Sequence, residues 1–161
     1  MTAKLNPFAA APALMKSWMD ISVAIAESLE PRLIDLVKIR ASQINGCANC
    51  ISMHTAEARK RGETEQRIYL LQAWREAPCY TDRERAALAW TDALTRLSEA
   101  HPDEAVREAL WAQFTEEDQM KLTLMINVIN GWNRIAVGFA LWADPAMVQG
   151  AAQAAIKAAA A

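Results

Sequence analysis

The sequence contains little glycine and little cysteine. Five of its 161 residues are Gly and three are Cys. Three cysteines are too few for the disulfide framework of a small secreted domain. Lys and Arg number 17 against 19 Asp and Glu, and they form no basic run. We therefore expect no nucleic-acid partner, because such partners call for a concentrated positive surface.

Long uninterrupted apolar runs are also missing. Near the N-terminus Pro12, Lys16 and Asp20 break the apolar residues, and in the most apolar stretch, 120–142, charged and Asn residues do so. A membrane-spanning helix needs roughly 20 predominantly apolar residues. With no signal peptide visible either, we predict a cytoplasmic protein that makes no membrane contact.

Helix-forming residues dominate the chain instead. Ala, Leu, Glu, Arg and Gln are abundant, and apolar residues recur at spacings of three and four. This pattern predicts one all-α domain over residues 1–161. We expect a loose arm at 1–11, a core at about 12–142 and an Ala-rich tail at 143–161 with little to bury. The apolar stretch 120–142 must be central or lie in a subunit interface, and together with an apolar fraction of 53% it predicts an oligomer.

Pro, Gly and capping residues divide the predicted domain into helices. The expected segments run from Pro12 to Leu29, Pro31 to Ile44, Ala48 to Arg61, Thr64 to Arg75, Thr81 to Leu97, Val106 to Phe114, and from a cap at Thr115 to Trp142. The first of them is expected to bury Leu14, Trp18, Ile21, Ile25 and Leu29. The third is expected to end in solvated charges: Glu57, Arg59, Lys60 and Arg61.

Cys47, Cys50 and His54 form the constellation most able to carry chemistry. Their Cys-x-x-Cys-x-x-x-His spacing places them on one helix face over two turns. The preceding Asn45-Gly46 can end one helix and start another, so both thiols fall in or near a first turn. Free backbone N–H groups and the helix dipole favour thiolate there. The three residues thus combine a nucleophile, a base and a second thiol.

The two sulfurs receive different predicted roles. Cys50, four residues before His54, is expected to be the attacking nucleophile. Cys47, nearer the break and expected to be the more exposed, would resolve the sulfenic acid and meet the reductant. A helical i, i+3 pair has β-carbons about 5–6 Å apart, whereas a disulfide needs about 3.8 Å, so oxidation should adjust the first turn.

Structural interpretations stand beside this one. The motif could be buried cysteines with a core histidine, or a zinc site, although zinc wants a fourth ligand that is not apparent nearby. Cys79, in a Pro-bounded loop without a base, and His101, before a proline, are interpreted as structural. Met53 is near enough in sequence to line a pocket. Packing and interhelical hydrogen bonds are expected of Trp132, Asn133 and Arg134.

The segment SQINGCANCISMH, residues 42–54, is similar to the AhpD-like alkylhydroperoxidases of the carboxymuconolactone decarboxylase superfamily. Further likeness lies at residues 56–59, 62–67, 73–76, 83–88 and 130–134, within a match over about 12–142. The resemblance implies an all-helical fold that assembles as trimers or hexamers. It implies that the motif cysteines reduce a hydroperoxide and close to a disulfide, with no other cofactor and no metal. A dithiol partner, such as a lipoyl or thioredoxin-like protein, would restore the thiols.

The resemblance also implies a proton relay. The family has a glutamate twelve residues before the first cysteine, and here Asp35 keeps a carboxylate that is one methylene shorter. Some members have a histidine just before the second cysteine, where this chain has Asn49. The residues implied for catalysis are therefore Cys50, Cys47, His54 and Asp35.

Three other functions stay open at this point. The same residues would serve a general disulfide reductase or a redox sensor without peroxide specificity. A non-redox, decarboxylase-like enzyme of the same fold would use His54 alone, although such family members usually lack the two cysteines. A structural or interaction module would close the pocket to thiol reagents.

Overall fold

The computed structural model describes residues 5–141, and these residues form helices and no strand. The helices are α1 Pro7–Ala10, α2 Pro12–Ala26, α3 Pro31–Ile44, α4 Ala48–Lys60, α5 Glu65–Leu70, a 3-10 turn at Leu71–Ala73, α6 Asp82–Thr95, α7 Glu104–Gln113 and α8 Glu116–Gly138. The all-α prediction is confirmed. Among these residues no helix combines the length and apolar character that crossing a membrane requires. The predicted Ala-rich tail lies outside the described range.

Capping residues set where several helices begin. The Thr81 hydroxyl accepts from the Glu84 N–H, and the Glu84 carboxylate accepts from the Thr81 N–H, so the predicted capping box is present. Thr64 and Thr115 cap α5 and α8 in the same way with their hydroxyls. A side-chain oxygen at this position satisfies a backbone donor that the helix leaves unpaired.

Helix α3 lies at the centre of the structure. Its Leu36, Val37, Ile39 and Ala41 are fully buried. Helix α3 packs directly on α4, α6, α8 and the 3-10 turn, and its residues belong to two hydrophobic clusters. One cluster includes residues of α2, α6, α7 and α8, and the other includes residues of α4, α5, α6 and the 3-10 turn. A helix enclosed in this way fixes the directions in which its few polar side chains point.

A buried ion pair also joins α3 to α6. The Arg40 guanidinium donates to both oxygens of Asp92 over 2.5 and 2.9 Å, and Arg75 and Trp74 donate to the same carboxylate. Arg40 and Asp92 are each more than nine-tenths buried, whereas the Arg75 side chain is 63% exposed. Losing Asp92 would leave the buried Arg40 guanidinium without this partner and costly, so the contact fixes the α3–α6 register.

Helix α8 is central, one of the two positions predicted for the apolar stretch 120–142. Leu122, Ile126 and Ile129 are essentially inaccessible, and the helix packs on α2, α3 and α6. The helix ends at Gly138 rather than at the predicted residue 142. Burial within one chain accounts for part of its apolar character, whereas Met120, Leu124 and Val137 are 41–59% exposed, so the oligomer stays a prediction.

The described part of the predicted N-terminal arm is helical. Asn6 caps α1 with its side-chain oxygen, which accepts from the N–H groups of Phe8 and Ala9. The Phe8 ring stacks on Trp132 with centroids 6.2 Å apart. The prediction of a loose arm is therefore wrong for these residues, because an Asx cap and an aromatic contact anchor them.

The buried face of α2 differs from the prediction. Leu14 and Ile21 are 75% and 48% exposed, whereas Met15 and Ser22 are buried. The Ser22 hydroxyl donates to the Trp18 carbonyl and accepts from the Trp132 indole. A count of apolar residues misses this face because a satisfied serine lies in the middle of it.

Besides that of α8, three predicted helix ends were placed too far along the chain. Helix α2 ends at Ala26 rather than Leu29. The segment from Thr64 breaks after Leu70 into the 3-10 turn, although Leu71 and Trp74 point inward as predicted. Helix α6 ends at Thr95, which leaves Leu97 49% exposed instead of buried.

Helices α2 and α8 approach closely at Gly131. A β-carbon there would lie 2.6 Å from Cζ2 of Trp18, which is an overlap with a rigid ring. We expect Gly131→Ala to lower the free energy of unfolding by about 1–3 kcal/mol through overpacking. Gly138, on the same helix with nothing within 4 Å, is the matched control. Gly138→Ala should leave stability unchanged or slightly raised. Urea unfolding of both variants checks this, and equal effects would contradict it.

Candidate active site around Cys50 and His54

The site is built on the corner between α3 and α4. Gly46 has φ +63, a left-handed conformation that glycine adopts without strain. Its N–H donates to the Gln43 carbonyl, and the Cys47 N–H donates to the Ser42 carbonyl. The chain thereby reverses within two residues, and Cys47 becomes the N-cap of α4. The break predicted at Asn45-Gly46 is confirmed.

Amide hydrogen bonds anchor this corner to α8. Asn45 Nδ2 donates to the side-chain oxygens of Asn130 and Asn133 over 2.9 and 2.8 Å. Asn133 Nδ2 in turn donates to the Ser42 hydroxyl over 3.0 Å. The interhelical role predicted for Asn133 is confirmed, whereas Arg134 donates to the Asn130 carbonyl within its own helix. The residues that lead into Gly46 are thus tied to α8 at two positions.

Cys47 and Cys50 are joined by a disulfide, with Cα atoms 5.4 Å apart. That separation lies within the usual range for disulfides, about 4.4–6.8 Å. Helix α4 begins at Ala48, so Cys47 lies just outside it and only Cys50 is helical. In this oxidised state the cap residue supplies one of the two cysteines, and the adjustment expected on oxidation stays a prediction.

The two sulfurs differ in what they face. Cys47 and Cys50 are 1% and 3% exposed, so the prediction that Cys47 is the more accessible is wrong. The corner folds Cys47 inward, whereas Cys50 lines a pocket of about 480 Å³. Cys50 is therefore the sulfur that a ligand in this pocket would meet.

The pocket lies between α2, α4 and α8, and Phe8 of α1 also lines it. Apolar side chains form most of its wall, including Val23, Val128, Ile129 and Trp132. Met53 lines it as predicted. The polar residues that share the wall with Cys50 are Ser22, Lys38, Asn49, His54 and Glu57. An apolar cavity with a few convergent polar groups is typical of a small-molecule site.

His54 is buried beside Cys50, with its side chain 8% exposed. Burial lowers the pKa of its imidazole below the ordinary 6.5, and the charge of Lys38 acts in the same direction. A hydrogen bond with Glu57, between Nδ1 and Oε2 at 3.0 Å, opposes this. The imidazole is therefore neutral at pH 7 and able to accept a proton.

Glu57 is the first of two site residues that the sequence prediction missed. The prediction places it among solvated charges, but its side chain is 38% exposed and contacts both His54 and the pocket. The spacing between His54 and Glu57 in the sequence could have identified it. Glu57 follows His54 by three residues, on the helix face that already holds Cys50.

Asp35 is not hydrogen-bonded to His54. It is 2% exposed on α3, and its Oδ1 accepts from Arg61 Nη1 over 2.5 Å. Its Oδ2 is buried without a hydrogen-bond partner among the described residues. Burial raises the pKa of this carboxyl, and Arg61 opposes the rise. Asp35 therefore reaches the site through its charge rather than through contact.

Lys38 is a second residue that the prediction missed. It lies one turn after Asp35 on α3 and lines both the Cys50 pocket and a neighbouring one of about 430 Å³. Burial lowers the pKa of its ammonium, against the charges of Glu57 and Asp35. The site thus contains a cation and a carboxylate that act on His54 in opposite directions.

Cys79 and His101 do not line the Cys50 pocket. Cys79 is a partly exposed free thiol, and the His101 side chain is exposed. Over residues 5–141 no group of three or more His, Cys, Asp or Glu side chains is arranged to hold a metal ion.

The fold and the site define a class of protein. It is an all-α domain with a cysteine pair at the start of one helix and a histidine one turn after the second cysteine. The chain belongs to the carboxymuconolactone decarboxylase family, whose model matches residues 12–93. It is 45% identical over 142 residues to the uncharacterised protein YdfG of Bacillus subtilis strain 168. That match covers 85% of this chain and 94% of YdfG.

Solved structures show the same fold. A protein of unknown function from Agrobacterium tumefaciens, for which an AhpD antioxidant defence role has been suggested, superposes with a TM-score of 0.83 at 44% identity. The match covers 86% of this chain and 96% of that one. The debrominase Bmp8, as a cysteine-to-alanine variant with 2,3,4-tribromopyrrole, gives 0.74 at 20% identity over 83% of this chain and 72% of its own. That likeness shows the fold alone. The resemblance predicted from residues 42–54 is confirmed.

The burial of His54 has a measurable consequence. In the oxidised protein we expect its imidazole to titrate with a midpoint below 6.5, because burial penalises the charged form. Histidine ring signals followed by NMR against pH give the midpoint, and His54→Gln assigns the signal. A midpoint above 6.5 would mean that Glu57 outweighs burial.

Proposed function

We propose that the protein is a thiol-dependent hydroperoxide reductase with an antioxidant role. Cys50 is the peroxide-attacking thiolate, Cys47 the resolving thiol and His54 the base. One observation carries this proposal: of the bonded pair Cys47–Cys50, it is Cys50 that shares an apolar pocket with His54. Membership of a family that includes AhpD-type relatives supports it.

In the reduced protein His54 takes the Cys50 proton and leaves a thiolate. The thiolate attacks the terminal peroxide oxygen, the O–O bond breaks, and the alkoxide leaves as the alcohol with the proton from His54. Cys50 is then a sulfenic acid. The Cys47 thiol attacks that sulfur, the S–O bond breaks, and water leaves as the disulfide forms. Two electrons have passed from the thiols to the peroxide.

A dithiol must then restore the pair, and we propose a lipoyl or thioredoxin-like protein for this step. Thiol–disulfide exchange transfers two electrons and two protons back to Cys47 and Cys50. Both sulfurs are buried, so the attacking thiol has to enter the pocket. A thiol at the end of a long, narrow group can enter the pocket more easily than a thiol on a flat protein surface. The proposal needs no cofactor beyond the cysteine pair.

The assembly and the location stay part of the proposal. Phe8, Met19, Val23 and Met53, which all line the pocket, are 40–47% exposed in the single chain. A trimer or hexamer that covers some of this apolar surface would fit a cytoplasmic enzyme. Light scattering that gives a mass near the 17.8 kDa of one chain would contradict the oligomer.

A general disulfide reductase or redox sensor is the second candidate. Asp35 pairs with Arg61, and Asn49 stands where some relatives have a histidine, so the implied peroxide relay lacks two parts. The cysteine pair would still exchange with disulfides. A decarboxylase-like enzyme is less well supported, because a cysteine pair lies at the centre of the site.

The peroxidase test compares cysteine variants. With dihydrolipoamide as reductant, we expect wild type to consume cumene hydroperoxide and Cys50→Ser to lose at least about a hundredfold in rate, as for removal of a nucleophile. Cys47→Ser, reduced beforehand and tested without dihydrolipoamide, should consume one equivalent of peroxide and remain at the Cys50 sulfenic acid, because no resolving thiol remains. Cys79→Ser is the matched control and should keep the full rate. Equal rates for wild type and Cys50→Ser would refute the assignment.

The apolar pocket predicts a preference for bulky hydroperoxides. Ala136 lines its wall, and Ala136→Leu should fill part of the cavity. We expect the variant to lose about tenfold or more in kcat/KM for cumene hydroperoxide, since a misplaced substrate reacts slowly. The rate with hydrogen peroxide should change little. Ala112→Leu is the control, because Ala112 is an exposed residue of α7 that does not line the pocket. Parallel losses with both peroxides would argue against a size-selective pocket.

A further inference from the structure

We propose that Glu57 is the positioning residue that orients the His54 ring toward Cys50 and binds its Nδ1 proton. The family resemblance gives this part to the position of Asp35. The catalytic consequence rests on the proposed peroxidase function, but the geometry does not.

The contact that supports this lies within one helix. Glu57 Oε2 is 3.0 Å from His54 Nδ1, and the two residues are one turn apart on α4. With Nδ1 engaged by a carboxylate, Nε2 is the ring nitrogen left to accept a proton. Cys50 lies one turn before His54 and lines the same pocket. The nucleophile, the base and the carboxylate therefore follow one another along a single helix face.

Asp35 is engaged elsewhere. Its Oδ1 binds Arg61, and the side chain is enclosed on α3. Neither of its oxygens is hydrogen-bonded to His54, and Oδ2 has no partner among the described residues. Leaving Arg61 would separate the buried carboxylate from its cation, which is costly. Asp35 and Arg61 are therefore a structural pair beside the site.

The charges around His54 act unequally. From α3 come Lys38 and Asp35, and from α4 comes Glu57, whereas the α2 and α8 residues that line the pocket carry no charge. The Glu57 hydrogen bond is the strongest of these influences that favour the imidazolium, and Asp35 acts only through its charge. When Cys50 gives its proton to His54, Glu57 stabilises the resulting imidazolium–thiolate pair.

The experiment compares Glu57→Gln with Asp35→Asn by two readouts that need no peroxide. The first is the NMR midpoint of His54 in the oxidised protein, which should fall further in Glu57→Gln than in Asp35→Asn. The second is the alkylation rate of Cys50 by iodoacetamide at pH 7 in the reduced protein, read by mass spectrometry. We expect Glu57→Gln to be about tenfold slower, as for a rise of one unit in the thiol pKa. Asp35→Asn should stay within about twofold. Raising the pH should restore the Glu57→Gln rate.

Two results would overturn the proposal. One is a Glu57→Gln protein with an unchanged midpoint and alkylation rate. The other is an Asp35→Asn protein whose losses equal or exceed those of Glu57→Gln. Glu57→Asp keeps the charge and should recover part of the rate, whereas a merely structural role would change only the unfolding free energy. If wild-type Cys50 is alkylated readily but the protein consumes no hydroperoxide, the peroxidase proposal is wrong. The role of Glu57 is then still decided by the His54 midpoint and the Cys50 alkylation rate.

Discussion

The candidate site depends on the hydrogen bonds that hold the α3–α4 corner against α8. Asn45 donates to Asn130 and Asn133, and Asn133 donates back to Ser42. These bonds are largely buried, and an unsatisfied amide there would cost about 1–3 kcal/mol. They fix the left-handed turn at Gly46, and that turn determines where α4 begins. Every reactive group on α4 takes its position from this start.

One consequence is that the two cysteines have different surroundings although they are three residues apart. Cys47 belongs to the corner and is enclosed by it, whereas Cys50 belongs to the helix and faces the pocket. A bond between them forms without both residues being helical. The burial of His54 then keeps its imidazole neutral, and the apolar wall of α2 and α8 keeps the surroundings poorly solvated.

Local features could be predicted from the sequence because local rules govern them. The Asn45-Gly46 break, the Thr81 capping box and the shared helix face of Cys50 and His54 follow from helix geometry and capping chemistry. The partners of buried charges could not be predicted in this way. Asp35 lies at the spacing that the family relay requires, yet it binds Arg61, which comes from another helix end. The burial of Ser22 on α2 likewise depends on the Trp132 indole, more than a hundred residues away.

The His54–Glu57 contact has a mechanical meaning as well as an electrostatic one. If the carboxylate were on α3, its distance from the His54 ring would depend on the spacing between two helices. That spacing changes when the helices move relative to each other. A carboxylate on α4 makes this distance depend on the pitch of a single helix, which backbone hydrogen bonds hold nearly constant. A local movement of α4 against α3 would therefore leave the base and the carboxylate at the same spacing. Cys50, His54 and Glu57 thus keep their relative positions when α4 moves as a unit.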